Sequence, residues 1–83
     1  MTYEEAVKSI PNGYYEHYKG GLFEVVGIAK HSETLEPIVI YKHDDVTWAR
    51  PASMWYDKVK NDQTRFTRCL ILSLYHLLRL IRG

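Results

Sequence analysis

Short runs of β-forming residues, each bounded by turn residues, constrain the fold of this chain more than any other feature. Branched and aromatic residues dominate these runs, which favours strands over helices. The predicted strands span Gly13–Tyr18, Leu22–Ala29, Pro37–Lys42, Val46–Ala49 and Thr64–Cys69. No helix-length segments alternate with them, which disfavours a parallel βαβ arrangement. An antiparallel barrel of about five strands, closed or half closed, is predicted.

The connections between these runs carry the residues that tight turns need. Lys19-Gly20-Gly21 and His43-Asp44-Asp45 are the predicted hairpin turns, because glycine and aspartate tolerate turn conformations well. Gly27, inside the second run, predicts a bulge or a sharp bend of the kind that small barrels use at corners. Pro51 is predicted at the first position of a short helix over Ala52–Tyr56.

The chain opens with a helix signal. Thr2 and Glu5 have the spacing of a capping box, in which each side chain bonds the backbone N–H of the other residue. A short helix over Tyr3–Ser9 is therefore predicted, with its apolar stripe covering the barrel. The turn residues Pro11-Asn12-Gly13 end it.

Length, charge and cysteine content narrow the classes of protein. The 83 residues allow one small domain of marginal stability. The net charge of +1 argues against a strong nucleic-acid binder, because such proteins show a clear basic excess. A lone cysteine, Cys69, forms no intramolecular disulfide and suits a reducing compartment. Since residues 1–10 lack an apolar signal segment, a cytoplasmic protein is expected.

The last residues have a different pattern from the rest of the chain. Helical spacing places six apolar residues within one arc, namely Leu70, Ile71, Leu74, Leu77, Leu78 and Ile81. The predicted organisation is therefore a barrel domain over residues 1–69 and an amphipathic helical tail over residues 70–83. Three roles stay open for this helix: covering an open end of the barrel, pairing two subunits into a homodimer, or lying on a membrane surface. It is too short and too often interrupted by polar residues to span a membrane.

Several separated motifs resemble those of a bacterial family, domain of unknown function family 1653. The matching segments are Tyr15–Val25, Ala29–Thr34, Val39–Tyr41, Trp48–Pro51, Met54 and Arg65-Phe66. They occur in the order found in that family, and the resemblance covers Gly13 to Phe66. It implies an SH3-like barrel without an established activity, so it supplies no catalytic residues. Relative to the family pattern, the hairpin over residues 42–47 is short and the segment after Cys69 is an addition.

The histidines raise the possibility of a metal site. His17, His31 and His43, with Asp44 or Asp45, supply suitable ligand types. No HxH or HxxxH spacing brings them together along the chain. Local turn hydrogen bonds or solvent exposure are the favoured roles of these histidines, and neither a metal nor another cofactor is predicted.

A hydrolytic site is also considered and disfavoured. Ser32 lies between His31 and Glu33, but catalytic triads are assembled from distant segments rather than from neighbours in one loop. The chain also lacks a G-x-S-x-G elbow. Hydroxyl groups such as those of Ser32 and Thr34 commonly satisfy backbone N–H groups in a tight connection, and this role is favoured.

Trp48 and Arg50 have a stronger claim to a recognition role. An arginine presents a planar fork to carboxylate or phosphate, and a tryptophan offers a stacking face. The predicted binding surface consists of Tyr18, Lys19, His31, Ser32, Thr34, Tyr41, Trp48 and Arg50. In the alternative interpretation Trp48 is a core residue, and Arg50 is paired with Glu24, Glu33 or Glu36 as part of the scaffold.

The residues therefore favour a non-enzymatic binding or assembly module. Small barrels commonly bind through an aromatic-lined groove. The ligand class stays open between a peptide, a small anion and single-stranded nucleic acid. The alternative is a small hydrolase-like or metal-dependent enzyme in which His31 or His17 is the general base.

Overall fold

A computed structural model describes residues 1–59 and 63–69 of the chain. The elements are α1 (Tyr3–Ser9), β1 (Gly13–His17), β2 (Leu22–Lys30), β3 (Pro37–His43), β4 (Val46–Pro51) and β5 (Phe66–Arg68). The mainly β prediction is confirmed, and each predicted strand is present with its bounds shifted by one to two residues. The predicted helix over residues 70–81 lies outside the described residues.

The five strands form a single antiparallel sheet in the order β4-β3-β2-β1-β5. Directly opposed residues point to the same face of a sheet. Tyr15 is opposite Phe23, Val25 is opposite Tyr41, and Tyr41 is in turn opposite Trp48. These pairs define one inner face, which carries the buried aromatic residues.

The sheet is rolled, so that its two edge strands approach each other. The Cζ atom of Arg50 on β4 lies 6.0 Å from the ring centroid of Phe66 on β5, although three strands separate β4 from β5 in the sheet. The pairing of β2 with β3 shifts register between Val25 and Gly27, which confirms the predicted bulge. Bulges increase the local twist of a strand pair, and this one lies where the sheet bends.

A fully buried tryptophan, Trp55, lies at the centre of the core. Its ring stacks on Phe66 at 3.9 Å between centroids and meets the edges of Tyr15 and Tyr41 at 5.3 Å and 5.1 Å. Offset-stacked and edge-to-face ring pairs stabilise a core beyond the area they bury. Trp48, by contrast, is 47% exposed, so the alternative that made it the core tryptophan is wrong.

A single 3₁₀ turn, Ala52–Met54, brings Trp55 into the core from the end of β4. The predicted helix over Ala52–Tyr56 is therefore too long, and Pro51 precedes the turn rather than opening a helix. The reason is local: Pro51 has φ −54° and ψ 134°, an extended conformation that continues the strand.

The N-terminal helix caps the core as the sequence predicts. The Thr2 N–H donates to Glu5 Oε1 at 3.0 Å, and the Glu5 N–H donates to Thr2 Oγ1 at 3.1 Å, which completes the capping box. Ala6 and Ile10 are buried against the sheet. The Tyr56 hydroxyl donates to the Ser9 carbonyl at 2.7 Å, and this bond ties the helix end to the segment after β4.

Candidate functional site

The structure separates the predicted binding surface into two parts. The His31–Thr34 segment belongs to the connection between β2 and β3, next to the Lys30–Pro37 pair. Trp48 lies opposite Tyr41 on β3. Tyr41 is four residues beyond Pro37, so Trp48 lies about 13 Å along the strand from the Lys30–Pro37 pair. The turn after β1, with Tyr18 and Lys19, lies at this second end, where a Cβ on Gly21 would be 3.4 Å from His43. The two groups of residues therefore do not form one site.

The His31 end is organised by turn hydrogen bonds. Nδ1 of His31 accepts from the N–H groups of Glu33 and Thr34 at 3.2 and 3.3 Å, and Thr34 Oγ1 accepts from the Glu36 N–H at 3.3 Å. These bonds confirm the predicted turn role of His31 and Thr34. In the part of the chain that the structure describes, no carboxylate lies within ion-pair distance of His31, so no tuned general base is assembled there.

Away from His31, four basic side chains lie near two aromatic rings: His17 and Arg50 are at Phe66, and Lys19 and Arg65 are 5.7 and 5.9 Å from the Tyr18 ring. These four, which we call the basic cluster, are His17, Lys19, Arg50 and Arg65. His17 packs edge-on against Phe66 at 5.0 Å, and the Arg50 guanidinium lies 6.0 Å from the same ring. The β1–β5 register places His17 directly opposite Phe66, and the rolled sheet brings Arg50 to them from β4.

The basic cluster affects the protonation of its own histidine, His17. Burial lowers the pKa of His17, and the positive charges of Arg65, Arg50 and Lys19 lower it further. Like charges disfavour protonation of a histidine, so the ring stays neutral beside three permanent cations. Its Nδ1 accepts the Lys19 N–H at 3.2 Å, which leaves Nε2 to carry the proton and act as a donor.

Arg65 differs from the other cations because it has a carboxylate partner. Its Nε donates to Asp57 Oδ1 at 2.8 Å and its NH2 group donates to Oδ2 at 3.2 Å, a bidentate pair. These bonds hold the pKa of Asp57 below its usual value. The pair positions the Arg65 backbone, whose carbonyl accepts the Tyr18 N–H at 2.9 Å. Arg65 is therefore part of the scaffold of the cluster as well as part of its charge.

Arg50 has no such partner. Its Nε is buried and makes no hydrogen bond, and no ion pair to it is formed within residues 1–59 and 63–69. The alternative in which Arg50 pairs with Glu24, Glu33 or Glu36 is not realised. Glu24 lies opposite Lys42, on the face of the sheet that points away from Arg50. Leaving a buried donor unsatisfied costs about 1–3 kcal/mol.

Trp48 lies on the inner face beside this cluster, while Tyr41 belongs to the core at 7% exposure. The Trp48 Nε1–H donates to the His43 carbonyl at 3.4 Å, which holds the indole towards the turn between β3 and β4. His43 itself stacks on Phe23 at 3.9 Å and contacts Asp44 through Nε2 at 3.1 Å. Among the described residues there is no group of three side chains that would hold a metal ion.

A polar groove runs along the outer side of the cluster. Its volume is about 500 Å³, within the range of small-molecule sites. The lining residues are Glu16, His17, Tyr18, Gln63, Thr64 and Thr67. The hydroxyl groups of Thr64 and Thr67 are 3.1 Å apart and hydrogen-bonded.

Sequence reasoning missed part of this site. The predicted site residues do not include Arg65, Asp57 or the two phenylalanines that contact His17, which are Phe23 and Phe66, and His17 was considered only as a base or metal ligand. The alternation of β1 contains one usable signal, since it places His17 on the same face as Tyr15. No comparable signal in the sequence pairs Arg65 with Asp57 or brings Arg50 to Phe66.

Fold and site together define a small antiparallel β domain with a basic cluster near aromatic rings at one end of its sheet. The model of the DUF1653 family, described as a protein of unknown function, matches residues 13–69, and the chain belongs to this family. The resemblance seen in the order of the motifs is thereby confirmed.

A solved structure shares this fold. The crystal structure of a DUF1653 protein from Bordetella bronchiseptica is 27% identical in sequence, with a TM-score of 0.67, over 76% of this chain and 91% of that chain. A search of curated proteins finds no match to the chain. Within the described residues, no helix has the length and apolar character needed to cross a membrane.

The lowered pKa of His17 makes stability depend on pH. Because the folded protein holds this proton less tightly than the unfolded chain, stability is complete above the ordinary histidine pKa of 6.5. The contribution of His17 to stability is lost as the pH falls below 6.5 and passes through the lower pKa that His17 has in the folded state. We expect the melting temperature to fall between about pH 7.5 and pH 5.5, above the main carboxylate range. His17→Gln should flatten this slope, and an unchanged slope in that variant would contradict the assignment.

Proposed function

We propose that this protein is a non-enzymatic binding module that recognises a small anion at the basic cluster. One observation carries the proposal: the Arg50 guanidinium is partly buried, its Nε has no hydrogen-bond partner, and no described carboxylate pairs with it. The charges that act on His17 are those of Arg65, Arg50 and Lys19, and Asp57 pairs with Arg65, so positive charge is in excess at His17.

A bound anion would give the Arg50 guanidinium a hydrogen-bond acceptor and offset the excess of positive charge around His17. A carboxylate or phosphate accepts hydrogen bonds from the guanidinium, and bonds between charged groups are about twice as strong as neutral ones. The Nε2–H of His17 is a second donor, because Nδ1 is already bonded to the Lys19 N–H. A bound anion would also reverse the effect of the surrounding cations and raise the pKa of His17.

The surroundings of His17 favour binding of an anion over a triad-type catalytic site. The charged neighbours that lower the pKa of His17 are all cationic, whereas the histidine of a catalytic triad is oriented by a carboxylate. The chain carries a net charge of only +1, which suits a ligand with one or two negative charges better than a long polyanion.

We also infer that the rolled sheet is an SH3-like barrel. The support is the five-strand antiparallel order, the bulge in β2, and the approach of β4 to β5 across the inner face. In such a barrel the inner face opens at the strand ends, and the basic cluster lies at one of these ends.

Removal of the Arg50 charge is expected to weaken anion binding without harming the fold. In Arg50→Met the side chain keeps its apolar stem and loses the unsatisfied donor, so the melting temperature should stay the same or rise. The affinity for inorganic phosphate should fall about tenfold to a hundredfold, because a charged hydrogen bond contributes about 1.5–3 kcal/mol. The measurement is a ¹H–¹⁵N NMR titration with inorganic phosphate at constant ionic strength, paired with thermal unfolding by circular dichroism.

The matched control is Lys42→Met, which removes the same charge from the opposite face of the sheet. It should bind phosphate as the unchanged protein does. If the two variants lose affinity equally, the effect is one of overall charge and the site is wrong. If Arg50→Met lowers the melting temperature strongly, Arg50 is a scaffold residue, and the absence of phosphate-dependent shifts in the unchanged protein would reject anion binding altogether.

A further inference from the structure

We infer that the anion held by the basic cluster carries a planar ring that stacks on Trp48, so that the preferred ligand is a nucleoside monophosphate. This inference rests on the proposed anion site and adds to it the part of the ligand that is not charged. Three observations support it: Trp48 is exposed, a hydrogen bond holds its indole in place, and it is separated from Arg50 by one residue on β4.

The two tryptophans of the described chain have opposite environments. Trp55 is fully buried and contacts three aromatic rings, whereas Trp48 is 47% exposed. Both belong to the inner side of the sheet, since Trp48 lies opposite the core residue Tyr41. No aromatic ring of the described residues packs on the Trp48 indole, and about half of the residue is exposed.

The exposed indole is nevertheless held in place. Its Nε1–H donates to the His43 carbonyl, and His43 is fixed in turn by a 3.0 Å contact of Nδ1 with the Leu22 carbonyl. A bond at the edge of the indole leaves its faces available while restricting its rotation. Stacking of a nucleic-acid base on such a ring contributes about 1–3 kcal/mol.

The distance between Trp48 and Arg50 selects the ligand. They are separated by one residue on β4, opposite Tyr41 and Val39, so their backbones lie about 7 Å apart along the strand and their side chains share a face. The indole extends towards the turn, and the guanidinium extends towards Phe66. Since the two side chains extend in different directions from positions about 7 Å apart, we expect a ligand with its ring and its charge separated by a spacer to contact both. A base joined to a phosphate through a sugar spans both.

The balance of charge favours a single nucleotide over a nucleic-acid strand as the ligand. Of the three permanent cations near His17, Arg65 is already paired with Asp57. The remaining two, Lys19 and Arg50, match one phosphate group. A bound strand would require further cations along its path.

The test compares ligands that differ by one part at a time. The unchanged protein, Trp48→Ala and Trp48→Phe are titrated by calorimetry and NMR with inorganic phosphate, ribose 5-phosphate, AMP and UMP. In the unchanged protein the mononucleotides should bind about tenfold more tightly than ribose 5-phosphate, since stacking contributes at least about 1.4 kcal/mol. Trp48→Ala should lose this advantage while binding ribose 5-phosphate unchanged, and Trp48→Phe should keep most of it.

Each failure has a different signature. If phosphate and ribose 5-phosphate bind but AMP and UMP bind no better, or if their advantage survives in Trp48→Ala, the stacking inference is wrong and the anion site stands. If none of the four ligands binds, the anion site itself is wrong. A short single-stranded RNA that binds more tightly than AMP, with an affinity that falls steeply with salt, would overturn the choice of a single nucleotide.

Discussion

Replacement of Trp55 by alanine is expected to destabilise the protein by about 3–5 kcal/mol, the usual cost of removing a buried aromatic side chain. Trp55 is fully buried, and its ring stacks on Phe66 while it meets Tyr15 and Tyr41 edge-on. The variant would leave a cavity at the point where β1, β3 and β5 meet. Because a small domain has only about 5–15 kcal/mol of stability, Trp55→Ala should lose a large fraction of it and unfold at a much lower urea concentration.

The matched control for this prediction is Trp48→Ala, the same chemical change on the same sheet. Trp48 is 47% exposed, so its removal should cost less than about 1 kcal/mol. Urea denaturation followed by circular dichroism measures both variants without relying on tryptophan fluorescence. Equal losses of stability in the two variants would contradict the assignment of Trp55 as the central core residue.

The second large effect is expected at Gly21, in the turn between β1 and β2. Its φ of +98° lies in the region that residues with a Cβ rarely adopt, and a Cβ there would touch the rings of His43 and Phe23 at 3.4 Å. We expect Gly21→Ala to cost about 1–3 kcal/mol, most of it as backbone strain. The measurement is the free energy of unfolding in urea.

Two other glycines distinguish backbone strain from ring contact as the cause of the stability loss in Gly21→Ala. Gly20 has a φ of +95° with nothing within 4 Å of a Cβ, so Gly20→Ala measures the backbone strain alone. Gly27 has no positive φ and equally open space around a Cβ, so Gly27→Ala should be neutral or stabilise by up to about 1 kcal/mol. If Gly21→Ala is as harmless as Gly27→Ala, the conformation of this turn is wrong.

Much of the fold could be predicted because its causes are local. The capping box of Thr2 and Glu5 and the alternation of β-forming residues act between neighbours in the chain, and both are confirmed. The bulge beside Gly27 is also confirmed, because a glycine in a strand marks a place where regular pairing is interrupted. The length of the helix after Pro51 was overestimated, since proline there continues the extended strand instead of starting a helix.

The candidate site was predicted only in part, because its contacts are between distant segments. Sequence reasoning placed Trp48 on a strand that ends at Ala49 and Arg50 in the break after it, whereas β4 carries both residues. It also joined Trp48 to His31, although Trp48 is opposite Tyr41 and His31 follows the Lys30–Pro37 pair at the far end of β3. The direction of each hairpin decides which turns meet, and residue types alone do not encode it. The pairing of Arg65 with Asp57 likewise depends on how these two residues between β4 and β5 come together in three dimensions.

The sequence by itself determined the strands, their turns, the N-terminal helix and the family, because these follow from short-range pattern and motif order. Only the tertiary structure decided which tryptophan is buried and which is exposed, since burial depends on what packs against each ring from other segments. It also decided that Arg50 meets Phe66 and lies near His17. The physical reason is the rolling of the sheet, which brings its two edge strands together and places a cation without a partner near the Phe66 ring.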